Sequence, residues 1–128
     1  MRRLGTLLVS GGVGLLFGCG NPAAVDAGRS TQIAATDFEF APATDTVAPN
    51  QNISFLFPAT DTATHDVTWI NPPPGYSAGD SSGGRRPGSS PYMIYIGADT
   101  NKTYSYYCNR HGSPDGSGMA GTIYVTIH

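Results

Sequence analysis

No stretch of this chain from Thr31 onward repeats its apolar residues at a helical period, whereas short runs alternating at every second residue recur. Asn52–Phe57 sets Ile53, Phe55 and Phe57 on one face, and His65–Ile70 does the same for His65, Val67 and Trp69. Thr103–Cys108 aligns Tyr104, Tyr106 and Cys108, and Gly121–Ile127 aligns Ile123, Val125 and Ile127. Thr31–Phe40 alternates in part, and Pro91–Ile96 is β-branched and aromatic. Turn residues separate these runs. Many short strands in one small domain predict an all-β fold, an antiparallel sandwich or a small barrel. Phe55, Phe57, Trp69, Tyr106 and Ile123 are expected to form its dry core.

Composition supports one folded domain. The chain has 128 residues, and its one Trp, seven Tyr and five Phe supply area to bury. Only 12% of residues are charged and the formal charge is −2, with no basic block, so nucleic acid is excluded as a partner. The segment 71–91 (NPPPGYSAGDSSGGRRPGSSP) interrupts the strand rhythm with five Pro, five Gly and five Ser. It reads first as a variable surface loop and second as a docking edge charged by Arg85 and Arg86.

Residues 1–18 (MRRLGTLLVSGGVGLLFG) pair a basic start with an apolar run from Leu4 to Phe17. That run is shorter than the roughly 20 residues needed to span a bilayer, and it fits an export signal. Leu16-Phe17-Gly18-Cys19 resembles a bacterial lipoprotein cleavage box. The resemblance implies cleavage before Cys19 and lipidation of its thiol. The mature chain would then be held at a membrane surface, on the periplasmic or cell-surface side. Residues 19–30 read as the lipidated cysteine and a flexible tether, and 31–128 as the domain. Without Arg2 and Arg3, five basic residues face nine acidic ones, a formal charge of −4. Cys108, the other of the two cysteines, is left without an intramolecular partner in an oxidising compartment, and a metal bond would account for it.

The chemistry concentrates near the C-terminus. Cys108, His111 and Met119 stand in Cys-x2-His-x7-Met spacing, and His65 lies upstream. One thiolate, two imidazoles and one thioether are the donor types of a blue-copper centre, a trigonal His2Cys set with a weak axial Met. Soft sulfur donors favour Cu(I), whereas imidazole serves both Cu(I) and Cu(II). Cys108 is expected to close a strand, the stretch to Met119 to form a loop around the metal, and His65 to tie the two sheets together. The reading requires the imidazole at 65 and the thiol at 108 to meet in space.

The stretch TYSYYCNRHGSPDGSGMAGTIYVTI, with THDV around His65, resembles the cupredoxins, particularly the plastocyanin-type small blue copper proteins. The resemblance covers residues 31–128. It implies an eight-stranded Greek-key β-sandwich with one type 1 copper, cycling between Cu(I) and Cu(II), held by His65, Cys108, His111 and Met119. It also implies single-electron transfer between a redox protein donor and acceptor, with no enzyme activity. The electron would leave through His111, with Tyr107, pointing outward, on a second route. Two positions depart from the family. The stretch between His111 and Met119 is longer than in plastocyanin, and the residue after the first histidine is Asp66 where the family has Asn. Asn109 follows the cysteine, so the usual partners are exchanged and the Asp66 carboxylate is expected to accept from Asn109.

The rivals fare worse. Zinc rarely takes a thioether, so Met119 counts against it. Covalent haem needs Cys-x-x-Cys-His, which is absent. A Cys–His nucleophile lacks an orienting third group. A multicopper enzyme needs more than the three histidines present. His128 is terminal and not a ligand, and Met93 is packing. The competing reading from another class is a copper-binding or delivery protein without an electron-transfer role. The chain is expected to be monomeric, and Arg110, between two ligands, would suit an anionic partner surface.

Overall fold

The computed structural model describes residues 31–127. The expected signal, lipidation site and tether at 1–30, and His128, lie outside them. Eight strands run β1 (Gln32–Thr36), β2 (Glu39–Ala41), β3 (Thr44–Val47), β4 (Asn52–Leu56), β5 (Thr68–Asn71), β6 (Tyr92–Tyr95), β7 (Lys102–Gly112) and β8 (Gly118–Val125). They form two four-stranded sheets, β2-β1-β4-β6 and β3-β8-β7-β5. The all-β sandwich expected from the sequence is therefore present. Pairing is mixed rather than purely antiparallel, because β1 lies parallel to β4 and β3 parallel to β8. Parallel neighbours require crossovers, and the chain makes them by changing sheet between β2 and β3 and at each of the next four connections. Among the described residues no helix is long and apolar enough to cross a membrane.

Period-two alternation accounts for the core. Ile33, Ile53, Phe55, Trp69, Ile94, Tyr106, Ile123 and Val125 are buried with Phe57 in one cluster between the sheets. Tyr106 is its hub, with Phe40 at 4.8 Å, Phe55 at 4.9 Å and Trp69 at 5.6 Å between ring centroids, all edge to face. Each such ring contributes about 1.5–3 kcal/mol through area removed from water. Met93 is exposed on β6, a surface position.

The strands depart from their sequence limits in two informative places. The run Thr31–Phe40 splits into β1 and β2 because Asp37 and Phe38 turn the chain with φ of 49° and 63°, leaving Thr36 paired with Glu39. Two left-handed residues suit the right-handed twist of a tight hairpin, and Asp37 is a usual first residue of one, but Phe38 stands where Gly normally follows. The strand β3 carries no apolar alternation strong enough to announce it, since its inward residues are Asp45 and Val47.

Gly121 in β8 sits directly beneath the Tyr106 phenol, where any side chain would overlap the ring. Gly121→Ala is therefore expected to destabilise the domain by about 1–3 kcal/mol, the usual cost of overpacking a filled core. The measurement is the urea midpoint, lowered at unchanged slope; an unchanged midpoint would contradict this packing.

Candidate metal centre

The site is built where β7 and β8 fall out of register. Pairing is regular from Lys102–Val125 to Tyr107–Ala120 and resumes only at Gly112–Gly118. Between those pairs, residues 108–111 of β7 face Met119 alone on β8. A bulge of that size re-aims side chains that a regular strand would turn to alternate faces. It lets Cys108 and His111, three apart, offer donor atoms to one point.

The hairpin closes beyond the bulge. Gly118, at φ +70°, brings β8 so close that a Cβ there would strike the His111 carbonyl, and a Cβ on Gly112 would strike the Met119 backbone. The tip is held by the Ser113 N–H donating to the Ser117 carbonyl at 3.0 Å. The expected open loop from Cys108 to Met119 is thus corrected: β7 continues to Gly112, β8 begins at Gly118, and only 113–117 form the turn.

His65 precedes β5 and exchanges both backbone hydrogen bonds with Arg85, at 3.0 and 2.7 Å. The pairing continues along the segment, with Ser82 N–H to the Val67 carbonyl (2.9 Å), Trp69 N–H to the Asp80 carbonyl (2.9 Å) and Gly79 N–H to the Trp69 carbonyl (2.8 Å). Residues 79–85 therefore lie along 65–69 as an irregular edge strand. The surface-loop reading of 71–91 holds for most of the exposed segment, but 79–85 also uses its backbone groups to satisfy the outer edge of β5. The expectation that His65 ties two sheets together is also corrected. β5, β7 and β8 are neighbours in one sheet, which carries Cys108, His111 and Met119 and has His65 at its edge.

The donor atoms converge. His65 Nδ1 lies 3.2 Å from His111 Nδ1 and 4.0 Å from Cys108 Sγ, and Sγ lies 3.6 Å from His111 Nδ1. Bond lengths of about 2.0 Å to nitrogen and 2.3 Å to sulfur allow two donors on one ion to stand at most about 4.3 Å apart. All three separations meet that limit, so the residues fit a metal ion. His65 and Cys108 are fully buried, His111 is half-buried, and Met119, facing the bulge, is 1% exposed.

The surroundings hold the donors. The Asp66 N–H donates to Cys108 Sγ at 3.5 Å, while Asp66 Oδ1 accepts from the Asn109 N–H at 2.8 Å and the Thr68 hydroxyl at 3.0 Å. The expected Asp66–Asn109 bond is thus present, made by the Asn109 backbone. Tyr107 lies outside the core cluster, yet it is buried rather than exposed, with its hydroxyl directed at Asn109 Oδ1 at 3.5 Å. Arg110 is exposed and packs over Gly84.

Two neighbours of the site were not singled out from the sequence. Phe38 is 59% exposed and meets the His111 ring edge-on at 4.6 Å. Asp61 accepts from His65 Nε2 at 2.5 Å and from the Thr62 N–H at 2.7 Å. Only the Asp-x3-His spacing hinted at Asp61, and Phe38 carried no local signal. Burial pushes the Asp61 carboxyl up, but the Thr62 and His65 hydrogen bonds outweigh it and hold the carboxyl below its ordinary value. Burial pushes His111 down, the nearby His65 and Arg110 reinforce the shift, and Asp66 and Asp61 oppose it.

No family model matches the chain, and no curated protein resembles it in sequence. Solved structures do match it in shape. The reduced Cu(I) form of an amicyanin point mutant superposes with a TM-score of 0.57 at 16% identity, over 73% of this chain and 79% of that one. Oxidised plastocyanin from Dryopteris crassirhizoma gives 0.55 at 19% identity, over 74% and 99%. A pseudoazurin from Sinorhizobium gives 0.51 at 19% identity, over 75% and 72%. The chain therefore has the cupredoxin fold.

Because the folded state protonates His111 less readily than the unfolded chain, metal-free protein should lose stability as pH falls through the ordinary value of 6.5. Asp61 acts in a separate window, its contribution being lost only below 3.8. Urea midpoints at pH 7.5 and 5 are expected to show the decline, and His111→Gln to lessen it. An equal decline in the variant would contradict the assignment to His111.

Proposed function

We propose that this protein is a single-electron carrier with one mononuclear type 1 copper centre, ligated by His65, Cys108 and His111 with Met119 as the axial donor. The observation that carries the reading is the convergence of two imidazole nitrogens and one buried thiol at the bulge that Met119, itself buried, faces from β8. Two of the structures similar in shape, a reduced Cu(I) amicyanin and an oxidised plastocyanin, support it. When bound, copper supplies a couple that gains and loses one electron without bond making in a substrate, so no enzyme activity is assigned.

The chain's own residues do the rest. Burial of Cys108 and His65 keeps water from the donors and lowers the local dielectric. The Asp66 N–H held toward Sγ favours the thiolate, and the carboxylate of the same residue pins the backbone at Asn109, so the cysteine is fixed from both sides. The bulge and the Gly112–Gly118 pinch hold the donors in place, which limits rearrangement between the two charge states.

His111 is the donor residue nearest to solvent, and Phe38 beside it presents an apolar edge. A redox partner, donor or acceptor, meets that face. In the same reading, residues 1–18 direct export and Cys19 carries the lipid that holds the domain at a membrane, on the periplasmic or cell-surface side, as a monomer.

The test is the optical and EPR spectrum of copper-loaded protein. Intense thiolate-to-Cu(II) absorption in the visible and reversible one-electron voltammetry are expected, both lost in Cys108→Ser. Colourless, freely exchanging copper would instead favour a binding or delivery role.

Electron self-exchange between two copies, read from NMR line broadening in mixtures of oxidised and reduced protein, tests the exit. Phe38→Asp is expected to slow it about tenfold or more by placing like charges across the contact while leaving the spectrum unchanged. An unaltered rate would place the exit elsewhere.

A further inference from the structure

Every imidazole that binds through one ring nitrogen must do something with the other, and at His65 the arrangement is unusual. The His65 Nε2 atom points away from the donor cluster and meets a carboxylate, Asp61 Oδ2, at 2.5 Å. The contact is buried, its two side chains being 1% and 4% exposed. A carboxylate is costly to bury without full hydrogen bonding. Here the second oxygen, Oδ1, accepts from the Thr62 N–H at 2.7 Å and the Ala63 N–H at 3.4 Å. The Asp61 N–H in turn closes a turn onto the Pro58 carbonyl at 3.2 Å. Both oxygens are therefore committed, and the carboxylate cannot swing away from the ring.

We propose that Asp61 is the positioning residue of the metal centre, its buried carboxylate holding His65 as the Nε2–H tautomer so that the Nδ1 lone pair faces Cys108 Sγ and His111 Nδ1. The inference rests on the copper reading only for what binds there; the tautomer itself is a property of the chain. A carboxylate is an acceptor, so the proton must sit on Nε2. With Nε2 so occupied, Nδ1 presents its lone pair 3.2 Å from one partner donor and 4.0 Å from the other. A backbone carbonyl or a water would satisfy the same N–H at a smaller desolvation cost. What the carboxylate adds is charge. It raises the basicity of the ligating nitrogen and stabilises the more positive metal state more than the less positive one. Asp61 should therefore tighten metal binding and lower the reduction potential relative to a neutral partner.

The experiment has one arm without metal. In full-length, 15N-labelled, metal-free protein at pH 8, the two ring nitrogens of His65 are expected to report the Nε2–H form. The Nδ1–H form in the wild type would overturn the proposal, whether or not any variant folds. Asp61→Asn keeps an oxygen for the Thr62 N–H but removes the charge. It is expected to shift the His65 tautomer toward Nδ1–H, to weaken Cu(II) binding about tenfold to a hundredfold, the usual effect of losing such a partner, and to raise the potential. A folded Asp61→Asn protein with unchanged tautomer, affinity and potential would also overturn it. The two readings fail separately. Absence of the thiolate band in copper-loaded wild type sinks the copper centre, while the nitrogen spectrum of the metal-free chain still decides the role of Asp61.

Discussion

The structure depends on one mismatch in strand pairing. Four consecutive residues of β7 stand against the single residue Met119 of β8, and the pairing recovers at Gly112–Gly118. A regular antiparallel ladder would send Cys108 and His111 to opposite faces, because neighbouring strand positions alternate. The bulge removes that alternation between them and turns a strand end into a cup. The rest of the fold keeps the cup rigid. Gly118 in a left-handed conformation and Gly112 without a side chain permit the backbones to approach, and Tyr106, two residues before Cys108, anchors β7 in the aromatic core.

Two buried carboxylates stabilise the cup in different ways. Asp66 binds backbone and hydroxyl groups around Cys108, while Asp61 binds the far side of the His65 ring. Neither is solvated, so each would be destabilising on its own. Their hydrogen bonds offset part of that cost, and a bound cation would offset more. Stability is thereby coupled to occupancy: anything that binds the folded site and not the unfolded chain adds to the folding free energy. The 79–85 segment contributes on the outer side, pairing with 65–69 so that the His65 backbone is fixed before its ring is aimed.

Much of this was legible in the residues. The alternating runs 52–57, 65–70 and 103–108 placed the core correctly, because burial on one face of a strand leaves a period of two that no other structure imitates. The donor types Cys108, His111, Met119 and His65 were visible as chemistry, since soft and borderline ligands are rare enough to be noticed together. The hairpin at Asp37–Phe38 was not, because its second left-handed residue is Phe38, which packs on His111, where local sequence would use glycine. Segment 79–85 was missed for a related reason: it pairs mainly through backbone groups, with the Ser82 hydroxyl taking the Val67 N–H, and such contacts leave no apolar pattern.

By itself the sequence determined the fold class, the core and the inventory of metal donors, because these follow from local periodicity and from the chemistry of single side chains. Only the tertiary structure decided that those donors share one sheet, that a β7 bulge aims them, and that Asp61 and Phe38 flank the two histidines. Those relations join residues far apart along the chain, through register, close backbone approach and burial, and none of the three leaves a mark in the order of neighbouring residues.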